Sequence, residues 1–382
     1  MPRQTRFRLF LFSLALIFLA CLSLRSEQDL HRVWAIKDAR IVTLTGPPIE
    51  KGTLVIRDGL IEAVGAGIPI PKDAEVIDGA KLTVYPGLMD GLGQSLLKLP
   101  EEKMDMSRIS SGEFTDKDRG ITPGLTAFDY INLSNAVFEK YHKKEDVTSK
   151  LVEKIRDYLK EARRYLELKK LAAGDPGVKA LEYNAKYEAL GPVLDGTLPV
   201  IVSVEKAKDI ELAIKFVQDE KLKAIFRGCA QGFKVADKIK QSGIPVIIDS
   251  LYTGPSEPED GYDAPYRNVV ELAKAGVLIS FSSGDSPAQG KDLPYHAAKA
   301  VAFGLPAEEA LRALTINPAK ILGVADRLGS IEAGKDADLL IATGDPLDMK
   351  TEVKQLVING RAIDMSNWWE TLYDKFKKRP EK

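Results

Sequence analysis

Histidine is scarce in this chain, with three among 382 residues. A hydrolytic zinc site usually draws two or three imidazoles from its scaffold, at spacings that bring them to one point. His31 lies near the start, His142 in a lysine-rich segment and His296 in a predicted helix, and no two of them have ligand spacing. Each reads as a surface or helix-packing side chain, because an isolated imidazole needs partners to hold a metal. Cysteine is as thin: Cys21 and Cys229 alone make no disulfide framework. An excess of charge is also missing, since 54 Lys and Arg stand against 55 Asp and Glu, and that balance argues against nucleic-acid binding. The sequence has no solenoid-period repeat and no glycine-rich phosphate loop after a strand. Ser282, Ser283, Ser286 and Cys229 have no histidine base near them in sequence.

What is present begins with Arg3, Arg6 and Arg8, followed by an uncharged apolar run from Leu9 to Leu24. This predicts a secretory signal peptide over residues 1–25 and an exported protein, periplasmic or secreted. A single membrane anchor is the alternative, although the run falls a little short of the ~20 residues that span a bilayer. Phe18-Leu19-Ala20-Cys21 loosely resembles a lipoprotein processing box, so a lipid on Cys21 is a second route to membrane attachment. Removal of the three arginines would leave a net charge of about −4.

Beyond the leader, short strands are predicted at Trp34 to Thr45, Thr53 to Arg57 and Leu60 to Val64, with the hairpin dipeptide Asp58-Gly59 between the last two. A matching pattern occupies Ala337 to Ala342 and Val353 to Ile358, the latter turning through Asn359-Gly360 into Arg361 to Ile363. Neither group is large enough to bury a sheet face alone, so one small β-sandwich from both ends is expected. Between them, apolar strands alternate with amphipathic helices, the signature of parallel α/β units. The expected strands are Leu82 to Met89, Leu198 to Val204, Leu222 to Phe226, Ile244 to Ile248 and Val277 to Ser282. From Ser95 to Thr197 the rhythm fails: one tentative strand, Leu125 to Leu133, occupies the space of about three strand-helix units. A long charged helix from Val147 to Leu171 follows, with Leu151, Ile155, Leu159, Ala162 and Leu166 on one stripe expected to pack on the barrel.

Val84-Tyr85-Pro86-Gly87-Leu88-Met89-Asp90 resembles the first barrel strand of the amidohydrolase superfamily, especially its imidazolonepropionase-like members. The resemblance continues through Ser282-Ser283-Gly284-Asp285-Ser286-Pro287, Thr315-Ile316-Asn317-Pro318-Ala319 and the run from Gly329 to Leu339. It implies a TIM-type (β/α) barrel, here incomplete, beside a β-sandwich, and hydrolysis of non-peptide carbon-nitrogen bonds by metal-activated water. The expected organisation is a signal peptide over 1–25, sandwich segments over 26–80 and 325–366, the barrel over 81–324 and an extension over 367–382, in which Trp368-Trp369 suggests a packed end, an exposed binding patch being the alternative.

Against that family the sequence departs at nearly every metal ligand. The paired histidines expected after Asp90 are Leu92 and Gln94, those of the strand at Ile201 are Ser203 and Glu205, and Arg227 stands where the next would bind. Asp285 alone survives, and a helix cap beside Pro287 is its competing role. The expectation is therefore a protein without bound metal or other cofactor, a divalent ion such as zinc entering only if carboxylates rebuild the site. Its partners would be a small amide ligand, a second copy or an active homologue. The alternative is a carbon-nitrogen hydrolase with a rebuilt or metal-free site. Asp285, Glu205 and Arg227 are the candidate catalytic residues, and Asp90, Glu205, Arg227, Asp249 and Asp285 are expected on one rim.

Overall fold

The computed structural model describes residues 33–92, 121–122, 130–132, 147–175, 177, 179, 181–284, 287–366 and 368–377. They divide into two compact units, one formed by Met1–Met89 with Gly323–Lys382 and the other by Asp90–Leu322.

The first unit is a sheet of eight strands: β1 (Val33–Ile41), β2 (Ile49–Arg57), β3 (Leu60–Gly65), β4 (Glu75–Asp78), β5 (Thr83–Pro86), β12 (Leu339–Ala342), β13 (Val353–Ile358) and β14 (Arg361–Ala362). The order is β14-β13-β12-β5-β1-β2-β3, with β4 also paired to β1. Burial drives the assembly, because Ile36, Ile41, Leu54, Ile56 and Ile61 from the first segment share one core with Leu339, Ile341 and Val357 from the last. Asp58 and Gly59 both have positive φ, as do Asn359 and Gly360, which is what a tight hairpin turn requires. The two turns meet at Ala337, whose N–H donates to the Gly59 carbonyl at 2.8 Å and whose carbonyl accepts from the Gly360 N–H at 3.0 Å.

One expected barrel strand belongs to this sheet instead. β5, within Leu82 to Met89, pairs parallel with β1 and antiparallel with β12. The reason is packing: Val84 is fully buried in the core that holds Ile41 and Ile341. Only the residues after it enter the second unit, where the Gly91 N–H donates to the Phe281 carbonyl at 2.9 Å.

The second unit holds a six-stranded sheet in chain order, comprising β6 (Ile121–Thr122), β7 (Tyr130–Asn132), β8 (Val200–Val204), β9 (Ala224–Gly228), β10 (Val246–Ile248) and β11 (Ile279–Phe281). Strands β7 to β11 are parallel, and β6 runs antiparallel to β7. Every residue of β8 to β11 is buried, the pattern of a sheet covered on both faces. Helices Ala207–Asp219, Ala236–Ser242 and Ala264–Lys274 separate these strands. The tentative strand at Leu125 to Leu133 is seen as β7, its other residues lying outside the described ones.

Val147–Gly174 is one helix of 28 residues. It buries Val152, Ile155, Leu159 and Ala162, so Val152 takes the inward place expected of Leu151, which is half-buried. Arg156 reaches Asp219 at 2.7 Å and Arg163 reaches Glu220 at 2.6 Å, tying the helix to the end of Ala207–Asp219.

Candidate functional site

Parallel strands joined through helices present their C-terminal ends on one side, and four such ends define the rim. Glu205 follows β8, Arg227 lies near the end of β9, Asp249 follows β10 and Ser282-Ser283 follows β11.

Arg227 and Asp249 form the central pair. The guanidinium Nε donates to both Asp249 oxygens, at 2.9 and 3.1 Å. The Arg227 side chain is 7% exposed and that of Asp249 30%, so the pair is sunk at one end and open at the other. Glu205 lies close enough for both to act on its charge. Its Oε2 accepts the Ala230 N–H at 3.0 Å, while the Cys229 and Gln231 N–H groups bond the carbonyls of Val204 and Glu205. The chain after β9 thus folds over the carboxylate. Gly228 permits that wrap: its φ is +86° and a Cβ there would stand 2.2 Å from Glu205 Oε1. Burial pushes the Glu205 carboxyl up to about 7, with Asp249 adding to the rise while the Ala230 N–H and Arg227 oppose it. The same burial, with the two carboxylates, holds the Cys229 thiol well above its ordinary value, which removes it as a thiolate nucleophile.

Lys206 turns to an ion pair with Glu257. Asp90 is engaged by Ser283, whose N–H and Oγ–H both donate to it, and by the Leu92 N–H at 3.1 Å. The Leu92 side chain packs against the cluster of Ile201, Ile225, Ile247 and Ile321. His296 is fully buried. Its Nδ1 accepts the Leu251 N–H at 3.1 Å, pinning the segment after β10, and burial holds the imidazole below its ordinary value.

The structure therefore places Glu205, Arg227 and Asp249 together and gives Asp90 a serine partner. Asp285 lies outside the described residues, as do Gln94, His31 and His142. Among the described residues no group of three or more His, Cys, Asp or Glu could hold a metal ion. Sequence reasoning missed the Ser283 clamp on Asp90 and the role of Gly228. Ser283 carries no signal, being separated by nearly the whole unit from its partner, whereas a glycine at a strand end beside Arg227 is a detectable one.

With this geometry in view, comparison with known proteins defines the class. The amidohydrolase family model matches residues 260–363. A solved amidohydrolase from Thermotoga maritima superposes with a TM-score of 0.71 at 25% identity, covering 86% of this chain and 99% of its own. In sequence and fold the chain is similar to members of the amidohydrolase superfamily. Its relatives include the imidazolonepropionase of Mesorhizobium japonicum, 24% identical over 81% of this chain and 91% of that one. The amidohydrolase tasK of Hapsidospora irregularis is 27% identical over 50% of this chain. The match covers only 20% of tasK's own length, and matches to imidazolonepropionases of Porphyromonas gingivalis and Thermoplasma acidophilum span 34% and 21% of those chains.

Proposed function

We propose that this chain is an incomplete amidohydrolase barrel beside a small β-sandwich, a non-hydrolytic member of its superfamily that binds a small amide-bearing molecule without metal. The Arg227–Asp249 pair carries the reading. A guanidinium held by a carboxylate fills with protein charge the region a metal and its water would need. The donor chemistry around it does not suit zinc either: Leu92 is packed among aliphatic side chains and Asp90 is taken up by Ser283. What the rim does offer is recognition. A Glu205 raised to about 7 keeps a substantial protonated fraction up to neutrality, so its carboxyl can donate from oxygen to an amide carbonyl as well as accept. Arg3, Arg6, Arg8 and the run from Leu9 to Leu24 support action after export, by the chain paired with a second copy or with an active homologue.

Titration calorimetry of cyclic imides and N-acyl amino acids against the full chain in EDTA tests this. Saturable binding that EDTA leaves unchanged and Arg227→Met abolishes is expected. Binding or turnover that appears only with added zinc contradicts it.

The elevated Glu205 carboxyl favours one second reading, a metal-free carbon-nitrogen hydrolase in which Glu205 takes the proton of attacking water, with Asp285 as its partner. Amide hydrolysis in EDTA, rising with pH through about 7 and lost in Glu205→Gln, would favour it over the binding protein.

A further inference from the structure

Helix Trp368–Lys377 buries none of its residues. Trp368 is 68% exposed, Trp369 77% and Tyr373 68%. At about 100° per residue, Trp368, Leu372, Phe376, Trp369 and Tyr373 fall within an arc of about 140°. Lys375 and Lys377 border that arc on either side, Lys377 also pairing with Asp374 at 2.6 Å, and Glu370 and Asp374 lie on the far side. Each lysine already leans over an aromatic ring, Lys377 at 5.3 Å from the Tyr373 centroid and Lys375 at 5.8 Å from that of Phe376. The sequence then adds Lys378, Arg379 and Lys382 against a single acid, Glu381.

We propose that this helix is an interfacial anchor that lies on an anionic lipid surface. Aromatic and leucine side chains with flanking lysines are the composition of helices seated at the headgroup boundary, where rings enter the acyl region and ammonium groups stay at the phosphates. A protein partner would be served by the rings alone; the cations bordering them and following them match a negatively charged plane. The contact lies on the membrane without crossing it, since no helix among the described residues is long and apolar enough to span. It is independent of the run from Leu9 to Leu24 and of any lipid on Cys21, and it does not depend on the function proposed for the rim.

The tryptophans make it measurable. Of the three in the chain, Trp34 is 7% exposed in the sheet of the first unit, so a lipid-induced change in emission reports on Trp368 and Trp369. The full chain should show blue-shifted emission and co-sediment with phosphatidylcholine vesicles carrying about 30% phosphatidylglycerol, and salt should weaken both effects. Lys375→Glu with Lys377→Glu should reduce partitioning at least about tenfold, and Trp368→Ala with Trp369→Ala should reduce sedimentation further. An unshifted emission on these vesicles overturns the proposal, as does an equal shift on pure phosphatidylcholine that charge reversal leaves intact. A lipid-independent doubling of mass abolished by the tryptophan substitutions would also overturn it, by making the face a contact between copies.

Discussion

Glu205 holds its carboxyl at about 7 in the folded chain against 4.5 for the free side chain. Between those values the folded state keeps a proton that the unfolded state has released, so the stability this acid contributes is present at low pH and is lost as pH rises toward 7. Glu205→Gln lacks that slope. Relative to the parent, it should gain about 1–3 kcal/mol in urea unfolding at pH 8 over its difference at pH 4; parallel pH profiles would show that burial does not govern this group. Arg227→Leu leaves Asp249 without its guanidinium and should cost about 3 kcal/mol, most of it recovered when Asp249→Leu is added. Simple additivity of the two losses in the same assay would refute the pairing as an energetic unit. Much of this cluster was legible: strand ends in a parallel unit must share a rim, which placed Glu205, Arg227 and Asp249 from spacing alone. The proton affinity of Glu205 was not, because it depends on how the backbone after Gly228 closes over the carboxylate.

At the scale of elements, dipeptides and apolar runs served better than strand limits. Asp58-Gly59 and Asn359-Gly360 are local signals that force their turns, but their mutual contact comes from the sheet that unites the two segments. A Cβ on Gly360 would stand 2.4 Å from the Gly59 Cα, and φ there is +70°. Gly360→Ala should therefore destabilise the first unit by about 2 kcal/mol or more, seen as an earlier urea transition of the buried Trp34 in a chain lacking the other tryptophans. An unchanged midpoint would mean the two turns separate without cost. Two elements were misplaced for a common reason. The sequence pattern points β5 to the barrel and favours a packed end over an exposed patch at Trp368, since an apolar sequence announces that it will be covered without naming the surface that covers it. Val84 found the first unit's core, and Trp368 with Trp369 stayed exposed.

For the whole molecule, the family resemblance was readable from ordered blocks spread along the chain, and the parallel order β8 to β11 followed from alternating strands and helices. The stretch from Ser95 to Thr197 was harder, because three-residue β7 and two-residue β6 are too short to show a period. We propose that the superfamily's fold persists in this chain without the superfamily's metal. Elemental analysis by plasma mass spectrometry of the full chain, purified without chelator and dialysed, tests it most directly. Zinc, manganese and iron should all be far below one atom per chain and unchanged in Asp285→Ala. About one tightly held zinc per chain, reduced by that substitution, would contradict the claim.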